Sequence, residues 1–145
     1  MNFTRVGLAA VAAWLVYLAL GFLIHGVMLA DLWATLQRSG VARSSSTGNA
    51  LMPLGFALAF PGLLAFTYAY AKGYEGGPGS QEGLRFGALI GLVIVAFGVT
   101  WSYVSFPLPL EYLTSMAAAT VVQFAAVGMV VGIVYRPVNR AAGLQ

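Results

Sequence analysis

Hydrophobic and polar positions divide this chain into four long apolar runs joined by short polar ones. Asp, Glu, Lys and Arg are absent from residues 6–30, 50–71, 86–110 and 112–135, runs of 22 to 25 residues each. At about 1.5 Å of rise per residue a helix of that length reaches roughly 33 to 37 Å, enough to cross a hydrocarbon core of about 30 Å with some tilt. The pattern predicts an all-α integral membrane bundle: one domain, residues 1–145, of four antiparallel transmembrane helices at about 6–30, 50–72, 81–106 and 109–135. Arg5 ahead of the first run suggests the basic end of a signal peptide. That run, however, is longer than the roughly 7 to 15 apolar residues of such a segment, and no Ala-x-Ala site follows, so it reads as a retained helix.

Composition sharpens the reading. Only 8% of the residues are charged and 60% are hydrophobic, against about 25% charged in an ordinary soluble domain. Too few charges remain to coat a globule, which argues against a water-soluble enzyme, a nucleic-acid binder and a disordered tail. The absence of cysteine excludes a disulfide framework, a thiolate metal site and a catalytic thiol. The net charge of +3 reads as topology once the charges are placed. With the N-terminus inside, the inner side holds Arg5, Lys72, Arg85, Arg136 and Arg140, and the outer side only Arg38 and Arg43. Cytoplasmic termini and a multi-pass inner-membrane location are therefore expected, although the first connection, 31–49, carries both outer arginines.

The connections read as ordinary loops. Asn49, at the end of a polar Arg-Ser-Thr-Gly run, is the expected cap of the second helix, and Ser80, after a glycine-rich turn, that of the third. Gly77-Pro78-Gly79 follows no strand and matches neither dinucleotide nor P-loop spacing, so it is not read as a phosphate cradle. Pro107 and Pro109 bracket the last turn. Pro61, in the middle of the second helix, removes a hydrogen bond from the carbonyl of Ala57, and a kink is expected there.

Helical wheels separate packing faces from lipid faces. Gly83, Gly87, Gly91 and Gly98 share one sector of the third helix, a double GxxxG ladder that lets another backbone approach closely. The fourth helix carries two small-residue faces, one of Ala118, Ala125, Gly128 and Gly132 and one of Ser115, Ala119, Gln123 and Ala126, so it is expected to touch two neighbours. Gln123 lies at mid-membrane, where an amide needs an interhelical hydrogen bond.

Ionisable groups within a membrane are candidates for function, and His25 is the clearest. It shares a stripe with Gly7, Ala10, Trp14, Gly21 and Met28, and in an antiparallel bundle its depth matches Trp101, Ser102, Thr114, Ser115 and Gly55. The bland alternative is an interface histidine satisfied by a neighbouring helix; the sharper ones are a proton relay or an axial ligand to haem or a pigment, though neither a second histidine nor a Cys-x-x-Cys-His motif is present. Glu111, at the start of the fourth helix, suits the helix dipole. His25, Asp31, Glu111, Tyr103 and Tyr112 together place the unusual polar chemistry near the outer leaflet, a candidate ligand or proton site. No catalytic residue and no metal ligand set is assigned, and no cofactor is implied. The sequence has no paired acidic motif, no Walker or Rossmann loop and no serine elbow.

From Gly83-Leu84-Arg85-Phe86-Gly87 through Pro107-Leu108-Pro109, and again from Gly128 to Tyr135-Arg136-Pro137, the chain resembles the small four-helix bacterial inner-membrane proteins of unknown function. The resemblance implies a prokaryotic integral membrane protein and carries over no site residue. Taken together, the sequence points first to a non-enzymatic accessory or structural component, partnered by the lipid bilayer and assembling through its Gly/Ala faces as a homo-oligomer or on a larger membrane complex, without nucleic acid. The alternative is a binder or transporter of a small or lipophilic ligand, such as a quinone, pigment or haem, held near the outer leaflet by His25.

Overall fold

A computed structural model describes residues 1–135 and is helical throughout, with no strand among them. Arg136 and Arg140, assigned to the inner side by the charge pattern, lie outside the described residues. Helix α1 (Phe3–Gly21) continues as a π-helical segment, Phe22–Met28; then come a short α2 (Ala30–Arg38), the long α3 (Ser45–Gly73) and α4 (Gly79–Ile94). A second π-helical segment, Val95–Val99, leads into α5 (Thr100–Ser105), and α6 (Leu110–Tyr135) completes the order. Four segments are long and apolar enough to cross a membrane: Phe3–Met28, Ser45–Gly73, Gly79–Ser105 and Leu110–Tyr135.

The helix ends are made by different residues from those expected. Asn2 caps α1, its side-chain oxygen accepting the N–H of Arg5 at 3.2 Å. Ser44, not Asn49, caps α3 and accepts the N–H of Thr47; both residues are good caps, but the helix starts at the earlier one and takes Asn49 into its second turn. Ser80 likewise falls inside α4, which starts at Gly79 after Pro78. There Glu82 does the satisfying: its carboxylate accepts the N–H groups of Glu75 (2.6 Å) and Gly77 (3.0 Å), folding the loop over the start of the helix. Gly76, with φ +92°, makes the turn this loop requires. α3 is continuously helical through Pro53 and Pro61.

Helix α6 lies between α4 and α1. Gly83 and Gly87 of α4 face Gly128, Phe124 and Ala125 of α6, and Gly91 faces Val121, so that contacts step down α6 as they step up α4. The approach is backbone to backbone: a methyl group built on Gly83 would meet the carbonyl oxygen of Gly128, and one on Gly132 that of Gly79. Without a hydrophobic effect between apolar helices in lipid, such close van der Waals contact holds a pair together. Gly98 is not on this face. The π-helical segment inserts an additional residue into its turn and rotates the stripe, so that Val99 is buried and Gly98 is exposed.

On its other side α6 meets α1, where the Gln123 amide donates to the carbonyl of Tyr17 at 3.0 Å. Helix α1 also packs on α3: Trp14 Nε1 donates to the carbonyl of Phe56 at 2.9 Å, and its ring meets Phe60 edge-on. The core runs through Val6, Ala9 and Ala13 of α1, Leu63, Phe66 and Tyr70 of α3, and Val127, Val131 and Tyr135 of α6. Around this core the outward faces are apolar, with Phe3, Leu15, Phe22, Leu58, Leu89, Phe97 and Val104 exposed.

Candidate functional site

The first connection is not a simple loop. Leu32 and Leu36, one helical turn apart, are both buried, so α2 lays this stripe against the bundle. The helix is closed at its C-terminal end by Arg38 Nε, which donates to the carbonyl of Ala34, and by a turn at Gly40, whose φ is +74°. Folding α2 back in this way places Trp33 and Gln37 opposite the π-helical end of the first span.

Between these elements lies a cavity of about 780 Å³. Its walls come from α1 and its π-helical extension (Tyr17, Gly21, Phe22, His25, Gly26), from α2 and the turn after it (Trp33, Gln37, Ala42, Arg43), from the start of α3 (Gly48, Asn49, Met52, Phe56), and from Gln123 of α6. Ligand pockets are typically about 300 to 1,000 Å³, mostly apolar, with a few polar groups that fix orientation. This cavity has that composition: aromatic rings and a methionine make the walls, glycines lie among them, and Arg43 and Asn49, both exposed, stand at the α3 end.

Two polar atoms in its walls are unusual. His25 Nδ1 and Trp33 Nε1 are both buried and have no hydrogen-bond partner. Their rings meet edge to face, with centroids 6.1 Å apart. A buried donor without a partner costs about 1 to 3 kcal/mol, and such groups in native structures are few enough that each calls for an explanation. Thr67 Oγ1 is a third unpartnered atom, but it lies in the bundle core, away from this cavity.

Of the residues singled out in the sequence as site or packing candidates, His25, Gln123 and Gly21 line the cavity. His25 meets Trp33 rather than Trp101, Ser102, Thr114, Ser115 or Gly55, the groups at matching depth. Asp31 is exposed in the first turn of α2, where its carbonyl accepts from Thr35 Oγ1. Glu111 is exposed in the first turn of α6, and Tyr103 and Tyr112 are half-buried; none of the four belongs to the cavity wall. Sequence reasoning missed Trp33, Gln37, Arg43, Asn49, Met52 and Phe56 as wall residues. The readable signal was the Leu32–Leu36 spacing, which turns a polar connection into an amphipathic helix. A shallower hollow of about 200 Å³ lies at the start of α4, beside Ser80, Arg85 and Met129. Compared with protein-family models, with curated proteins and with solved structures, the chain matches none.

Proposed function

We propose that this is a non-enzymatic, multi-pass inner-membrane protein that binds a small lipophilic ligand in the cavity between α1, α2, α3 and α6. In this reading the four spans run antiparallel with both termini in the cytoplasm, and the cavity lies toward the outer leaflet. The observation that carries the reading is the pair of unpartnered nitrogens, on His25 and Trp33, in the wall of a cavity large enough for a ligand. The surrounding Phe22, Met52 and Phe56 suit an apolar body, and the polar groups suit its head.

The accessory-component reading stands second. The glycines on which it first rested are occupied within the chain, Gly83, Gly87 and Gly91 lying against α6. It is favoured instead by Gly55 and Gly62, seven residues apart on the exposed face of α3, where an added methyl group meets nothing within 4 Å. A second helix could dock there closely.

The test is purification in mild detergent, with mass spectrometry of bound lipophiles and of accompanying chains. Ligand binding predicts a lipophile at one equivalent in the wild-type protein. It also predicts loss of that lipophile in Gly48→Trp, which fills the cavity from a position where an added methyl group meets no neighbour. A partner chain at one equivalent with no lipophile would favour the second reading.

A further inference from the structure

Resting on the ligand-binding reading, we infer that the cavity takes a flat ring bearing an oxygen, of the quinone class, and that Trp33 and His25 bind that oxygen. Three observations converge. First, the indole Nε1 of Trp33 is a donor only, so whatever partners it must bring an acceptor. Second, His25 beside it can act as donor or acceptor according to its tautomer, which suits an oxygen that is a carbonyl in one form of the ring and a hydroxyl in the other. Third, the cavity walls are rich in aromatic rings and small residues: Tyr17, Phe22, Trp33 and Phe56 line it together with Gly21, Gly26 and Gly48. Such walls favour offset or edge-on contact with a conjugated ring over the irregular packing of a flexible acyl chain.

Both nitrogens are shielded as the rings stand, so the oxygen is met by rotation of a ring about its χ2 angle, a torsion with a broad, soft profile. No electron or proton transfer is involved; the inference concerns recognition alone. The competing ligand is a fatty carboxylate, which Arg43 at the rim would attract.

The experiment uses the full chain in lipid nanodiscs, titrated separately with a short-chain benzoquinone and with oleate. Binding is measured by calorimetry and by quenching of tryptophan fluorescence. The expected result is saturable benzoquinone binding at one equivalent, weakened about tenfold in Trp33→Phe, as for loss of one good hydrogen bond. Trp101→Phe, exposed on α5 outside the cavity, should bind as wild type. Thermal unfolding of Trp33→Phe should be undiminished, because the change removes a buried donor that lacks a partner. His25→Gln is the second variant, and it too should weaken binding if Trp33→Phe fails to fold. Benzoquinone binding unaffected by both substitutions, or saturable binding of oleate with none of benzoquinone, would overturn the quinone assignment and leave the cavity's ligand-binding role standing. Failure of both probes to bind, together with no lipophile in the purified wild type, would overturn that role as well.

Discussion

At Gly83 an added methyl group runs into the carbonyl oxygen of Gly128, and at Gly128 into that of Gly83. Forcing extra volume into a packed contact costs about 1 to 3 kcal/mol, and here the obstacle is backbone, which cannot swing aside as a side chain can. Gly83→Ala and Gly128→Ala should each lower stability by that amount in denaturant-induced unfolding monitored by circular dichroism. Gly62→Ala is the contrast. Its surroundings are open, so it should be neutral or gain up to about 1 kcal/mol from helix propensity. Gln123→Leu removes the bond to the Tyr17 carbonyl, and a loss of about 0.6 to 2 kcal/mol is expected in the same measurement, the range of interhelical hydrogen bonds within membranes.

Elements differ in how openly the sequence announces them. The four spans are legible because lipid satisfies no backbone polar group, so a spanning segment must be a long, uncharged helix and looks like one. Helix α2 is not: nine residues with Asp31, Gln37 and Arg38 among them resemble a loop, and only the burial of Leu32 and Leu36 against a bundle that the sequence does not display makes them a helix. The π-helical segments have no compositional mark. Depth along a span can be counted from sequence, whereas the direction a residue faces depends on how α2 folds back. That is why the sequence singles out His25 and not its neighbour Trp33, and why it groups Asp31, Tyr103, Glu111 and Tyr112 by level although none of the four lines the cavity that holds His25. The loop before α4 offers an element-scale test. Glu82→Ala leaves the N–H groups of Glu75 and Gly77 without their acceptor. Hydrogen exchange should accelerate at those two amides, with a stability loss of about 1 kcal/mol, and leave the α4–α6 contact protected.

For the whole molecule, the distribution of charge argues for an orientation that the fold by itself leaves open. In the proposed antiparallel arrangement, five basic residues of the sequence fall on the side of the termini and two on the other, and short connections rich in Lys and Arg stay in the cytoplasm. A reporter active only in the cytoplasm, fused after Gly76 or at the C-terminus, should be active, and the same reporter fused after Gly40 should be silent. The reverse pattern would place the cavity on the cytoplasmic side. The π-helical segment Phe22–Met28 has a bearing on the gene as well as on the protein. A π turn is an α-helix carrying one residue too many and absorbing it locally, so loss of a single codon there would restore ordinary winding and leave the downstream chain facing as before. The wide turn that holds His25 would tighten while the helix beyond it kept its direction. At this place the molecule can absorb a change of count that elsewhere in a helix would turn every following residue by about 100°.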